Sequence, residues 1–229
     1  MAKFINIFAL SIYRDRLDLP TDYKQQLIDL IFDMEKPQAV KPDHSAWLGD
    51  TQGHEFLFKK AEFAELHRLI GIKVKEYTQS LGVNTDLLSF YFQRSWATVT
   101  RKGERISEHC HEQSNISFAF YLKKPEGSGG INFITYNHPN EFSPGIFTPS
   151  KEELGFISKP SLQTWNNVSL DPAEGEIVIF PSKSLHATTP NPTEHPRISI
   201  SADISVMLKD STGHETLMPH FSNWRSFDD

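Results

Sequence analysis

Gly175-Glu-Ile-Val-Ile-Phe-Pro-Ser-Lys-Ser-Leu-His186, running on to Pro196-Arg197-Ile-Ser199-Ile-Ser201, is the stretch whose reading decides the fold. A run of strand formers ends in a turn at Pro181, a histidine lies just past the turn, and an Arg-x-Ser pair begins eleven residues beyond that histidine. From Arg197 the chain alternates, with Arg197, Ser199, Ser201 and Asp203 on one side and Ile198, Ile200, Ala202 and Ile204 on the other. Side chains of a strand change face at every residue, so this is a half-buried strand with an arginine on its polar face. An inward-facing arginine is costly unless an anion meets it. A structural Arg–Asp or Arg–Glu pair would answer that need. So would a small dicarboxylate, because the guanidinium fork matches a carboxylate through two parallel hydrogen bonds.

Upstream, Glu108-His109-Cys110-His111-Glu112 leads into Asn115-Ile-Ser117-Phe-Ala-Phe-Tyr121-Leu122. Read as a strand, this segment puts His109 and His111 on one face and turns Cys110 the other way. Two imidazoles there and His186 from a neighbouring strand make a three-cornered set for one divalent metal, with the other corners open to small ligands. Cys110 reads as a buried structural thiol rather than a zinc ligand.

The order His-x-His, distal His, Arg-x-Ser resembles the iron(II)- and 2-oxoglutarate-dependent oxygenases. Ser117-x-x-x-Tyr121-Leu122 followed by Gly129-Gly130-Ile-Asn-Phe133 is similar to the strand–turn–strand of prolyl-hydroxylase-like members. Ile7-Phe8-Ala-Leu-Ser-Ile12-Tyr13 is similar to the opening strand of a branch found in marine bacteria and phages. The resemblance implies a mainly β chain with flanking helices, its core a double-stranded β-helix (jelly-roll, cupin-like) buttressed by N-terminal helices. It implies iron(II) on His109, His111 and His186, 2-oxoglutarate as co-substrate with its far carboxylate on Arg197 and Ser199, and O2 as oxidant. Ser117 and Trp96 are further candidates for the co-substrate pocket, Trp96 reading equally well as core. The reaction implied is oxidation coupled to decarboxylation of 2-oxoglutarate to succinate and CO2, with hydroxylation as the default outcome.

One departure from the family pattern falls at His111, where the family usually has Asp or Glu. Three neutral imidazoles leave a divalent metal at plus two, which a 2-oxoglutarate dianion would neutralise. Glu108 or Glu112 could instead reach the metal through a bulge. Gly103 followed by His109-x-His111 also fits the first cupin motif, without the glutamate that should come next. A cupin-like metal enzyme indifferent to 2-oxoglutarate, with Arg197 as a structural partner of Asp203 or of a glutamate, is therefore a rival reading. A non-catalytic jelly-roll metal-binding protein is another.

The chain has 229 residues and a net charge of −6, so one domain with a substantial core is expected and no basic footprint for a nucleic-acid duplex is present. A single cysteine excludes an internal disulfide and suits a reducing, cytoplasmic setting. No apolar run is long enough for a membrane span, and the opening Met1-Ala-Lys-Phe-Ile-Asn-Ile-Phe-Ala-Leu10 reads as a first strand rather than a signal peptide.

Helical support is expected over 20–82, a jelly-roll core over 87–208 and a docking tail over 209–229. A first helix opens at Thr21, carries Tyr23, Leu27, Ile28, Leu30, Ile31 and Met34 at helical spacing, and stops near Pro37. A second carries Phe63, Leu66, Ile70, Val74, Tyr77 and Leu81, with Gly82 as its left-handed cap. The loop from Gln38 to Gly53 could border a substrate entrance. Leu87–Thr100 reads as one long or two short strands, with Arg94, Trp96, Thr98 and Thr100 on one face. Another strand is expected over Gln163–Leu170. Residues 135–160 form a long insertion without periodicity, expected to act as a lid or wall over the metal site. Met218, His220, Phe221 and Trp224 suit docking onto the body or onto a second subunit, as in a homodimer. The substrate class left open by these features is a small molecule or a protein side chain.

Overall fold

The computed structural model describes residues 5–35, 41–214 and 217–228. In chain order its elements are β1 (Tyr13–Arg16), α1 (Thr21–Glu35), β2 (Trp47–Leu48), α2 (Ala64–Ser80), β3 (Leu88–Thr100), β4 (Ile116–Lys123), β5 (Ile131–Ile134), α3 (Pro149–Glu153), β6 (Asn167–Leu170), β7 (Glu176–Pro181), β8 (His186–Thr188) and β9 (Arg197–Leu208). Two antiparallel sheets result, ordered β1-β7-β4-β9-β3-β2 and β6-β5-β8.

The alternation beginning at Arg197 sits in the middle of the larger sheet, where β9 pairs with β3 on one side and β4 on the other. Ile198, Ile200, Ala202 and Ile204 point to one face and are buried with Leu27 and Ile31 of α1 and Leu66, Ile70 and Val74 of α2. Each such side chain fully removed from water contributes roughly 1.5–3 kcal/mol, which is why the helices cover this face. Gly82, at φ +81°, follows α2 where the left-handed cap is expected.

The opposite face looks at the smaller sheet. Tyr121, Val178 and Phe180 of the larger sheet pack there against Ile131 and Phe133 of β5. Near Gln93 the register of β3 shifts, so that Phe92 pairs with Ile204 and Arg94 with Asp203. An extra residue in one strand turns its later side chains to the other face. Phe90 and Phe92 therefore pack on the helix-covered core, whereas Arg94 and Trp96 look between the sheets.

Several expectations are corrected. Met1–Phe4 lie outside the described residues, and residues 5–12 are not a strand, with Ile5 and Phe8 81% and 98% exposed. The first strand starts at Tyr13, opposite Ile179; the next partners along β7 would be Phe180 and then Pro181, which has no N–H to continue a ladder. The strand expected over Gln163–Leu170 is confined to Asn167–Leu170. Pro37 and the residues 36–40 lie outside the described residues. In the 135–160 insertion the regular element is the short α3. Of the tail, His220 hydrogen-bonds Tyr91 at 2.6 Å and Phe221 meets the same ring edge-on, while Trp224 and Phe227 stay exposed. Among the described residues no helix is long and apolar enough to cross a membrane.

Candidate active site

His109 and His186 face each other across an antiparallel bridge closed by two backbone hydrogen bonds of 2.9 Å, and the His111 N–H donates to Ser182 O, also at 2.9 Å. The backbone thus ties the His-x-His segment to the turn and strand that carry the distal histidine. One ring nitrogen of each of His109, His111 and His186 lies within 4.8 Å of the others. Every Nδ1 is already engaged: His109 with Ser107 O at 2.8 Å, His186 with Ser184 O at 2.8 Å, and His111 with Asp203 Oδ1 at 2.7 Å. An Nδ1–H that donates to oxygen leaves Nε2 as the lone-pair nitrogen, the form that binds metals. Burial pushes the His109 pKa below its ordinary value. Burial, followed by the charge His109 would carry, pushes His186 down to about 3. Both rings are therefore neutral near pH 7, as a metal ligand must be.

Asp203 is fully buried and central to this arrangement. Its Oδ2 accepts from Arg94 Nε and Nη2 at 2.9 and 2.7 Å and from Gln113 Nε2 at 2.9 Å. Burial opposes its ionisation, but hydrogen bonds from His111 and Arg94 outweigh that and hold the carboxyl at about 2. Trp96 stacks on His111 with ring centroids 5.8 Å apart and planes at 27°, and the Arg94 guanidinium lies 5.2 Å from the Trp96 ring. The Ser117 and Ser182 hydroxyls share a hydrogen bond, and the Ser114 hydroxyl donates to Ser182, both at 2.8 Å. Ser117 thereby braces the turn under His111.

A pocket of about 440 Å³ opens between the sheets, and His109, His111, His186, Arg197, Ser199, Ser117 and Trp96 all line it. Arg197 is 1% exposed. Its Nη1 donates to Ser128 O at 2.6 Å, and its remaining bonds, to Thr189 O, are at 3.5 Å. Among the described residues no carboxylate lies within ion-pair range of it, and burial lowers its pKa against the weaker upward pull of Tyr121 and of the Asp171 carboxylate. Gly129, at φ +79°, makes room: a Cβ there would stand 2.2 Å from Thr189 Oγ1 and 3.0 Å from both Arg197 Nη1 and Pro190 O. Gly129→Ala therefore combines left-handed backbone strain with a clash, and a loss of about 2–4 kcal/mol in urea unfolding is expected.

A family model described as "Putative 2OG-Fe(II) oxygenase" matches residues 94–203, from the bulge of β3 to the carboxylate behind His111. The match spans just under half of the chain, and over that stretch the chain is similar to the iron(II)- and 2-oxoglutarate-dependent oxygenase superfamily. Solved structures of that superfamily share its fold. The epimerase SnoN of nogalamycin biosynthesis, in complex with Fe3+, alpha ketoglutarate and nogalamycin RO, aligns with a TM-score of 0.56 at 13% identity, over 95% of this chain and 88% of its own. A prolyl-4-hydroxylase from Pseudomonas putida gives 0.51 at 12%, over 86% and 92%. HygX from Streptomyces hygroscopicus, with nickel and 2-oxoglutarate bound, gives 0.50 at 10%, over 86% and 82%. The fold is the expected jelly roll with flanking helices. No curated protein matches the sequence.

Against the superfamily pattern, the alternatives to His111 are not drawn in. Among the described residues neither Glu108 nor Glu112 joins the histidine cluster, and Glu108 accepts a 2.5 Å hydrogen bond from Tyr136. That bond ties the insertion to the pocket rim, but no residue of 135–160 lines the pocket itself. From the segment 38–53, Ser45, Ala46, Leu48 and Asp50 line it. Cys110 is half-exposed and lines the pocket instead of being buried; its segment is joined to β8 by the isolated bridge at His109 and is not itself a strand. Sequence reasoning missed Tyr121, Phe180 and Gln113. Tyr121 is in register with Ser199, and burial raises its hydroxyl to about 12. Its signal was present in the Ser117-x-x-x-Tyr121 spacing, which puts both on one face.

Proposed function

We propose that this chain is a single-domain dioxygenase that holds iron(II) on His109, His111 and His186 and binds 2-oxoglutarate with Arg197 and Ser199. The observation that carries the reading is the meeting, in one pocket, of three imidazoles and a buried arginine with, among the described residues, no carboxylate in ion-pair range of it. The donor set fits the metal, since imidazole nitrogens suit iron and other divalent first-row ions. The lone guanidinium fits a dicarboxylate in the same way. When bound, iron(II) with 2-oxoglutarate supplies an oxidant from O2, coupled to decarboxylation to succinate and CO2. The chain's own contribution is positional. Ser107, Ser184 and Asp203 fix the three rings, Ser128 steadies Arg197, and Tyr121, Phe180 and Trp96 keep the pocket walls largely apolar.

Hydroxylation of a small molecule or a protein side chain is the outcome we assign, in a cytoplasmic enzyme; the apolar tail residues would suit a homodimer. The rival in which Arg197 pairs with Asp203 loses support, because Asp203 is taken by His111, Arg94 and Gln113. Anaerobic titration of metal-free protein with iron(II), then 2-oxoglutarate, tests the reading. A weak visible charge-transfer band, and succinate release once air is admitted, are expected. Iron binding without a band would indicate a metal enzyme indifferent to 2-oxoglutarate. No iron binding would leave a jelly roll without the proposed centre.

A further inference from the structure

Among the three histidines only His111 is oriented by a carboxylate. His109 and His186 donate from Nδ1 to carbonyls two residues earlier in their own segments, Ser107 and Ser184. His111 donates instead to Asp203, which comes from β9, is fully buried, and lies 2.7 Å away. The other oxygen of Asp203 is held by both Arg94 nitrogens and by Gln113, so the carboxylate cannot swing away from the ring. Ser114, in the turn after His111, reaches the first oxygen more distantly at 3.4 Å. Trp96 covers one face of the His111 ring, which leaves it a single orientation.

His111 also stands where the superfamily pattern has an acidic ligand. We propose that Asp203 is the positioning residue of the centre: it fixes His111 with Nε2 toward the metal and returns, through the imidazole, the negative charge that an acidic ligand would have supplied directly. A carboxylate hydrogen-bonded to the outer nitrogen of a ligating imidazole orients the ring and raises its basicity. β9 then serves the pocket twice from one face, with Arg197 at its start and Asp203 six residues on, alternate side chains between them pointing the same way. The proposal rests on the metal reading above and adds that one ligand depends on a residue which does not itself touch the ion.

Asp203→Asn keeps the shape and removes the charge. Cobalt(II), an air-stable probe, is titrated into wild type, Asp203→Asn, His111→Ala and the double variant, with dissociation constants and visible spectra recorded. The expected result is a 10- to 100-fold weaker dissociation constant for Asp203→Asn. In the His111→Ala background the same change should have no further effect, since a residue acting through His111 has nothing left to act on. Equal additional losses in both backgrounds, or wild-type affinity in Asp203→Asn, overturn the proposal while leaving the metal reading intact. Failure of wild type to bind cobalt(II) or iron(II) overturns both. Should Asp203→Asn not fold, the imidazole nitrogen NMR spectrum of metal-free wild type decides. A proton on His111 Nδ1 in slow exchange supports the proposal, and a proton on Nε2 overturns it.

Discussion

His186→Ala is expected to abolish tight metal binding, and turnover with it. The side chain is buried, seated on the edge of Phe180 with ring centroids 4.8 Å apart, and fixed by Ser184. Removing an outer partner of a ligating histidine typically weakens metal binding 10- to 100-fold, so removal of a ligand itself should exceed about 100-fold. The fold should survive, because β8 keeps its backbone bonds to His109 and to β5. A second consequence separates this variant from a merely damaged protein. Folding holds His186 at about 3, below its value in the unfolded chain, so the unfolded state takes up more protons as pH falls below about 6.5. Metal-free wild type therefore loses stability on acidification through that window, and the alanine variant lacks this part of the slope. Urea unfolding of both metal-free proteins at pH 7 and pH 5 measures it. A variant that keeps wild-type metal affinity would remove His186 from the centre.

How far the sequence could carry these conclusions depended on whether a feature was periodic. The alternation from Arg197 to Asp203 needs only the pleat of a strand, and it placed Arg197, Ser199 and Ser201 on the pocket side before any contact was known. The helix stripes were legible for the same reason. His109 and His111 do reach one site, although not through strand geometry: their segment has an isolated bridge and one further backbone bond to Ser182. The shift near Gln93 was hidden, since nothing in Phe92-Gln93-Arg94 marks an extra residue, and it decides that Arg94 meets Asp203. That partnership is a long-range choice among several arginines and acids, which spacing alone cannot make. The exposed 5–12 segment failed for the opposite reason. Its apolar residues are strand formers, but the place along β7 where they would pair runs out at Pro181.

Arg197 offers the sharpest contrast between stability and function. A structural arginine, when removed, destabilises the protein. An arginine that waits for a ligand's carboxylate is itself a burden on the ligand-free fold, because a buried cation without an anion carries an uncompensated desolvation cost. Arg197 has 1% exposure, one short bond to Ser128 O and no carboxylate in ion-pair range among the described residues. Arg197→Met keeps the packing volume and removes the charge. Its ligand-free stability in urea should be unchanged or higher, the unsatisfied Ser128 carbonyl offsetting part of the gain. Its affinity for 2-oxoglutarate should fall by the cost of deleting one side of a buried charge pair, about 2–5 kcal/mol, or roughly 30-fold to several thousand-fold. Metal affinity should stay at the wild-type value, since Arg197 touches none of the histidines. Arg197→Lys should recover little, because an ammonium cannot give a carboxylate two parallel hydrogen bonds. Calorimetric titration with 2-oxoglutarate on the metal-loaded protein, alongside urea unfolding of the ligand-free form, reads both signs at once. Lower stability with unchanged 2-oxoglutarate affinity would make Arg197 a structural residue, and the co-substrate would then have to bind without it.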